Sequence, residues 1–161
     1  MKKLLWLLGF LWSLPLTIVG LLLSLVYQPT TVHWSDGCLE LVAGRHLDGK
    51  TRIWGRPAAQ TFGIVIWYAS ERDRQSERLR RHERVHTLQA FIGSVFFALA
   101  YGLHFLWLLV FVPKDAPTTR RGKPAPRWWR AYWGIWAERR ARAKENDPNG
   151  WGSLAASIAS V

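Results

Sequence analysis

Two apolar stretches, Leu4 to Tyr27 and Phe91 to Val112, take up more than a quarter of this 161-residue chain. Each is long enough at about 1.5 Å per residue to cross ~30 Å of hydrocarbon. What remains suffices for one small domain and no more. The chain therefore reads as a single domain attached to a membrane, with residues 1–28 as a transmembrane anchor. A cleaved secretory signal would have an apolar core of about 7–15 residues followed by a small-residue cleavage site. Here the first stretch closes on Val26-Tyr27-Gln28-Pro29, so an uncleaved anchor is expected, with Pro15 tolerated as a kink.

Composition points the same way. The chain holds 11 Trp and carries a net charge of +11. Many of the Trp lie beside basic residues or at the ends of apolar runs, where an indole can bury its ring and keep its N–H wet. The charge suits anionic lipid headgroups, nucleic acid or an acidic partner, and the apolar runs favour the lipid bilayer among these. Cys38 is the single cysteine, which excludes an intramolecular disulfide and a cysteine-based zinc cluster.

Between the apolar runs the pattern changes. Thr31-Val32-His33-Trp34, Ser35-Asp36-Gly37 and Cys38-Leu39-Glu40-Leu41-Val42 predict a strand, a turn and a strand, with Asp-Gly as the hairpin signal. A third strand is predicted from Thr61 to Tyr68, giving a small antiparallel sheet. From Ser70 the chain turns helical and charged, with Ser70 as the cap, and runs on into the second apolar stretch, which Gly93 and Gly102 interrupt and Pro113 ends. Residues 114–127 read as a loop. A last helix is expected from about Trp128 to Lys144. The domain so defined covers 29–146, with 91–112 dipping into the membrane, and the tail 147–161 has no assigned role.

The chemistry resides in Arg81-His82-Glu83-Arg84-Val85-His86, an H-E-x-x-H pattern within the expected helix. Positions i and i+4 share a helix face, so both imidazoles can reach one metal ion while Glu83 stands close to a metal-bound water. Chance produces this pattern in roughly one sequence in two hundred of this composition. On that bland reading, His82 and His86 are surface residues and Arg80, Arg81 and Arg84 form a solvated basic face.

A catalytic zinc needs a third protein ligand. A third His six residues after His86 is absent, since Ile92 stands there. His104 lies ~27 Å from His86 along a continuous helix. Among downstream carboxylates Glu138 is the best candidate, because its helical neighbours Ala131, Gly134, Ile135 and Ala141 are mostly small and would let two helices approach closely. The competing arrangement is an exposed Glu138 paired with Arg142.

With these residues in place the chain resembles the gluzincin metallopeptidases, in which an H-E-x-x-H helix is followed by a helix supplying a Glu ligand. The resemblance runs from Thr61 to about Ala143 and takes in the strand before the helix, which in such enzymes can pair with an extended peptide. More narrowly, Leu14-Pro15-Leu16-Thr17, the His-Glu-x-x-His-x-x-Gln run ending at Gln89 and the late Glu138-x-x-Ala141 are similar to small bacterial membrane proteins. The resemblance implies an α+β, membrane-anchored minimal zincin that hydrolyses a peptide or protein substrate. Zn²⁺ would be held by His82, His86 and Glu138, with Glu83 as base; apart from the resemblance, Tyr132 on the last helix is a candidate oxyanion donor. The charged Arg84 between the ligands departs from the usual pattern, although in a helix it points about 200° from His82.

Topology constrains this reading. If 91–112 crosses the bilayer straight, His86 and Glu138 end on opposite sides. A break near Gly102 is expected instead, producing an apolar helical hairpin. The alternative function is a non-enzymatic membrane protein interacting through the basic, Trp-rich helix, with an interfacial role favoured over nucleic-acid binding. Lys2 and Lys3 favour an inside amino terminus in a bacterial cytoplasmic membrane, which places the domain outside. The basic residues that follow the anchor argue the other way.

Overall fold

The computed structural model describes residues 2–44, 58–111 and 125–145. The expected loop up to residue 124 and the tail 147–161 lie outside them. The described fold is α+β. A long helix α1 (Lys2–Leu22) and a short turn α2 (Ser24–Tyr27) lead into strands β1 (Thr31–Ser35) and β2 (Cys38–Val42). Asp36 and Gly37, both at positive φ, make the expected two-residue turn between the strands.

The third strand is in fact two, β3 (Ala59–Phe62) and β4 (Val65–Tyr68). Gly63 turns the chain between them at φ +61 and sits so close to α1 that a Cβ would lie 2.2 Å from Thr17 Oγ1. No other residue fits there without strain. The sheet order is β1-β2-β4-β3, with β2 and β4 parallel and the outer pairs antiparallel. The sheet is thus mixed rather than antiparallel, because β3 takes the far edge and β4 returns beside β2 in the same direction. β4 is buried on both faces, as its continuous Val-Ile-Trp-Tyr run requires. Val65 and Trp67 pack with Leu41 and Tyr27 on the α1 side, while Ile66 and Tyr68 pack with Cys38 and Val42 on the other.

The first helix is a structural part of the domain. Its buried face is Ser13, Thr17 and Gly20, a small-residue seam of the kind that lets backbones approach closely. A Cβ at Gly20 would lie 2.8 Å from the Cβ atoms of Phe62 and Val65. Trp67 Nε1 donates to Gly20 O at 2.9 Å, and Ile64 N donates to Thr17 Oγ1 at 3.3 Å.

Ser70 caps a single turn, α3 (Glu71–Arg74), and Ser76 caps the long helix α4 (Glu77–Val110). The helix does not break at Gly102. It bends at Ser94, whose φ of 47 and ψ of −131 are non-helical. Gly93-Ser94 is the kind of Gly/Ser pair at which helices kink, and a non-glycine residue in this region costs on the order of 1–3 kcal/mol. Helix α1 secures the bend. The Ser94 hydroxyl donates to Trp12 O, and Trp12 Nε1 donates to Ile92 O, at 3.3 Å in the second case. The bend is sharp, since His86 Nε2 and Tyr101 Oη lie 3.2 and 2.9 Å from the same oxygen of Glu138. In a straight helix their Cα atoms would be ~22 Å apart.

The last helix is also two. Helix α5 (Arg127–Gly134) and helix α6 (Trp136–Glu145) meet at Ile135, which is extended at ψ 129. They run back along α4: Ala131 and Ile135 pack near Leu108, Gln89 reaches Ala137, and Arg78 reaches Glu145. The apolar hairpin expected within 91–112 is therefore not what the described residues form: α5 and α6 make the return against α4 and bring Glu138 to the His pair.

Arg80, Arg81 and Arg84 do not form a solvated face. Glu40 on β2 is fully buried, with Arg80 Nε at 3.1 Å, Arg74 Nη1 at 3.5 Å and Arg84 Nη2 at 3.8 Å from its oxygens. Arg84 also pairs with Asp36, while Arg81 Nε donates to Glu145 O at 2.9 Å. Arg84, between the two histidines, thus points into the sheet, away from the face that carries His82 and His86, and fixes how α4 is rotated against it.

Two helical segments, Leu7–Tyr27 and Glu77–Val110, are long and apolar enough to cross a membrane. Their outward faces, including Leu11, Ile18, Phe96, Leu99 and Leu103, are exposed.

Candidate metal centre

The first half of α4 presents His82 and His86 on one face, and α6 presents Glu138 opposite them. All three are buried. His82 Nε2 lies 3.3 Å from His86 Nε2 and 3.3 Å from Glu138 Oε2, and His86 Nε2 lies 3.2 Å from Glu138 Oε1. Helical spacing accounts for the first pair. The second comes from the close packing of α6, whose Ala137 and Ala141 are fully buried.

The ring nitrogens facing away from the centre are tied back. His82 Nδ1 is 3.2 Å from Glu145 Oε2, and His86 Nδ1 is 2.8 Å from Gln89 Oε1. Gln89 Nε2 donates to Ala137 O at 3.4 Å, which turns the amide oxygen toward His86. Both outer partners are acceptors, so each Nδ1 carries its proton and each Nε2 presents a lone pair to the centre. Lone pairs this close to a carboxylate repel one another unless a positive charge stands between them, either a proton on an imidazole or a metal ion.

Glu138 supplies negative charge at that point. Burial favours its neutral acid, yet hydrogen bonds and positive charge from His82 and His86, in the state where their Nε2 atoms carry protons, outweigh it and hold the carboxyl well below the usual carboxylate range. Tyr101 Oη donates to Oε1 at 2.9 Å. Oε2 is buried and accepts no hydrogen bond from any of the described residues, with the Arg142 guanidinium 3.5 Å away; a cation at the centre would meet that requirement. The two imidazoles and this carboxylate form a group able to hold a metal ion.

Glu83 has one oxygen turned toward the sheet edge. Its Oε2 accepts from Thr61 Oγ1 at 2.7 Å, and the same hydroxyl lies 3.3 Å from the Glu83 carbonyl oxygen. Glu83 is buried, and its charge acts on His86 and Tyr132. Tyr132 lies by the cluster, its hydroxyl pushed up chiefly by burial and next by the Glu138 charge. Arg142 does lie beside Glu138, at 3.5 Å from Oε2, but Glu138 is buried rather than exposed. His104 stays outside the cluster, its Nδ1 accepting from Trp136 N at 3.3 Å.

Sequence reasoning thus anticipated His82, His86, Glu83 and Glu138 as a group, and the fold brings the first two and Glu138 together. It missed Glu145, Gln89, Tyr101 and Thr61 as supporting partners. Gln89 was legible as the residue one turn beyond His86. Glu145 and Thr61 depend on tertiary packing and carry no local signal. No protein-family profile matches the chain, and neither a curated protein nor a solved structure matches it.

Proposed function

We propose that this chain is a membrane-bound zinc metallopeptidase of gluzincin type. The observation that carries the reading is the convergence of two imidazole Nε2 atoms on the Glu138 carboxylate, with both Nδ1 atoms held from behind. Separations of 3.2 and 3.3 Å between facing atoms suit zinc, since tetrahedral bonds of about 2.0–2.1 Å place neighbouring ligand atoms about 3.3 Å apart. A bound zinc would polarise a peptide carbonyl and lower the pKa of its water toward about 7.

The remaining work falls to side chains of the chain itself. Glu83 takes the proton of the attacking water and hands it to the leaving amine. Glu145 and Gln89 hold the imidazoles in the ligating tautomer. Tyr132, whose hydroxyl lies within the field of the Glu138 carboxylate, supplies a proton donor to the developing oxyanion. The exposed apolar faces of α1 and of α4 beyond Ser94 contact lipid, the exposed Trp128, Trp129 and Trp133 of α5 lie at the interface, and the domain faces outside a bacterial cytoplasmic membrane.

Detergent-purified protein is expected to cleave fluorescein-labelled casein, to lose that activity with 1,10-phenanthroline and to regain it with one equivalent of zinc. A zinc-loaded sample inert toward casein and toward mixed quenched peptides would leave the second reading. That reading is a non-enzymatic membrane protein acting through the exposed tryptophans of α5.

A further inference from the structure

Thr61 occupies β3, an edge of the sheet that no other described strand pairs. It pairs with Ile66 of β4, and Ile66 pairs with Glu40 of β2. Residues directly opposed across strands share a face, and both Ile66 and Glu40 lie on the face toward α4. The register therefore aims the Thr61 hydroxyl at α4, where it meets Glu83.

A threonine hydroxyl has one proton and two acceptors within reach. The carboxylate oxygen at 2.7 Å is nearer than the Glu83 carbonyl at 3.3 Å, and an ionised carboxylate is the stronger acceptor. The proton goes to Oε2. That bond spans 22 residues of sequence and ties one carboxylate oxygen to a rigid strand, so the Glu83 rotamer is set by the sheet as well as by its own helix.

We infer that Thr61 is a positioning residue for the general base. It fixes one oxygen of Glu83 so that the other faces the water at the metal. The inference rests on the peptidase reading above. A base displaced by about 1 Å loses on the order of 10²-fold in rate, whereas metal binding through His82, His86 and Glu138 involves no atom of Thr61. The β-branch and the strand hydrogen bonds are also independent of the hydroxyl, which makes valine an isosteric test.

The experiment compares wild type, Thr61→Val and Thr61→Ser for zinc content and for the kcat and KM of labelled-casein hydrolysis. Thr61→Val is expected to keep one zinc and a near-wild-type KM while kcat falls about 10- to 100-fold. Thr61→Ser, which restores the donor, is expected to recover kcat to within about threefold. A Thr61→Val kcat within twofold of wild type with zinc bound overturns the assignment, and so does a serine variant as slow as valine. A rise in KM at unchanged kcat would assign Thr61 to substrate pairing on the strand edge and equally overturn it. If the zinc-loaded wild type itself hydrolyses nothing, the peptidase reading fails first and takes this inference with it. That outcome is distinct because it shows in the wild-type arm.

Discussion

Glu83→Gln is expected to retain one zinc per chain and to lower peptide hydrolysis by about 10²- to 10⁴-fold. The two halves of this result have separate structural origins. Zinc is retained because the converging atoms belong to His82, His86 and Glu138, while the Glu83 carboxylate is turned to Thr61. Glutamine preserves the shape and still accepts from the threonine hydroxyl, so the helix keeps its place. Hydrolysis fails because an amide cannot take the proton of the attacking water at neutral pH. Zinc analysis and casein hydrolysis on the same preparation check both halves. Wild-type rates in a fully zinc-loaded Glu83→Gln protein would remove Glu83 from the mechanism, and loss of zinc would make it a ligand instead.

Glu40→Gln is expected to be the most damaging single change to stability. The carboxylate is fully buried with three guanidiniums, those of Arg74, Arg80 and Arg84, within 3.8 Å. Removing the charge leaves three largely buried guanidiniums with only their more exposed partners Glu71, Glu77 and Asp36, which costs on the order of 3–5 kcal/mol. For a chain of this size that corresponds to a fall of roughly 10 °C in the unfolding midpoint. Arg80 and Arg84 flank the ligands on α4, so zinc affinity is expected to fall with stability. Thermal unfolding in detergent, followed by far-ultraviolet circular dichroism, checks the first effect. A midpoint within about 2 °C of wild type would show that the cluster is already balanced by Asp36, Glu71 and Glu77.

The parts of the fold that were legible in the sequence are those set by local chemistry. Asp36-Gly37 specified its hairpin because both residues tolerate positive φ, and Ser70 specified a cap because its hydroxyl meets the Asp73 N–H at 3.2 Å. The His-Glu-x-x-His pattern needed only helical spacing. Gly63 was read as an interior strand residue because Val65 to Tyr68 continues the apolar β-branched run beyond it. The turn is forced by the approach of Thr17 from α1, a contact with no local trace. The same limit explains the bend. Gly93 and Gly102 are equivalent as interruptions of an apolar helix, and the carbonyl of Trp12 and its indole N–H, supplied by α1, select the Gly93-Ser94 site.

Glu138 was found because small residues surround it on its own helix, a pattern that survives translation into packing: Ala131, Ile135 and Ala141 are all fully buried. The partner of Arg84 was not legible, because charge in a sequence suggests solvent unless a buried partner is known, and Glu40 is 44 residues away. The same reason hides Glu145 behind His82.

The central claim is that His82, His86 and Glu138 hold one zinc ion. It is tested most directly by metal content per chain in detergent-purified wild type, His82→Ala, His86→Ala and Glu138→Ala after zinc repletion and desalting. One equivalent is expected in the wild type, with loss of bound zinc in all three variants. A wild type that retains no zinc, or a Glu138→Ala variant that keeps a full equivalent at wild-type affinity, would contradict it.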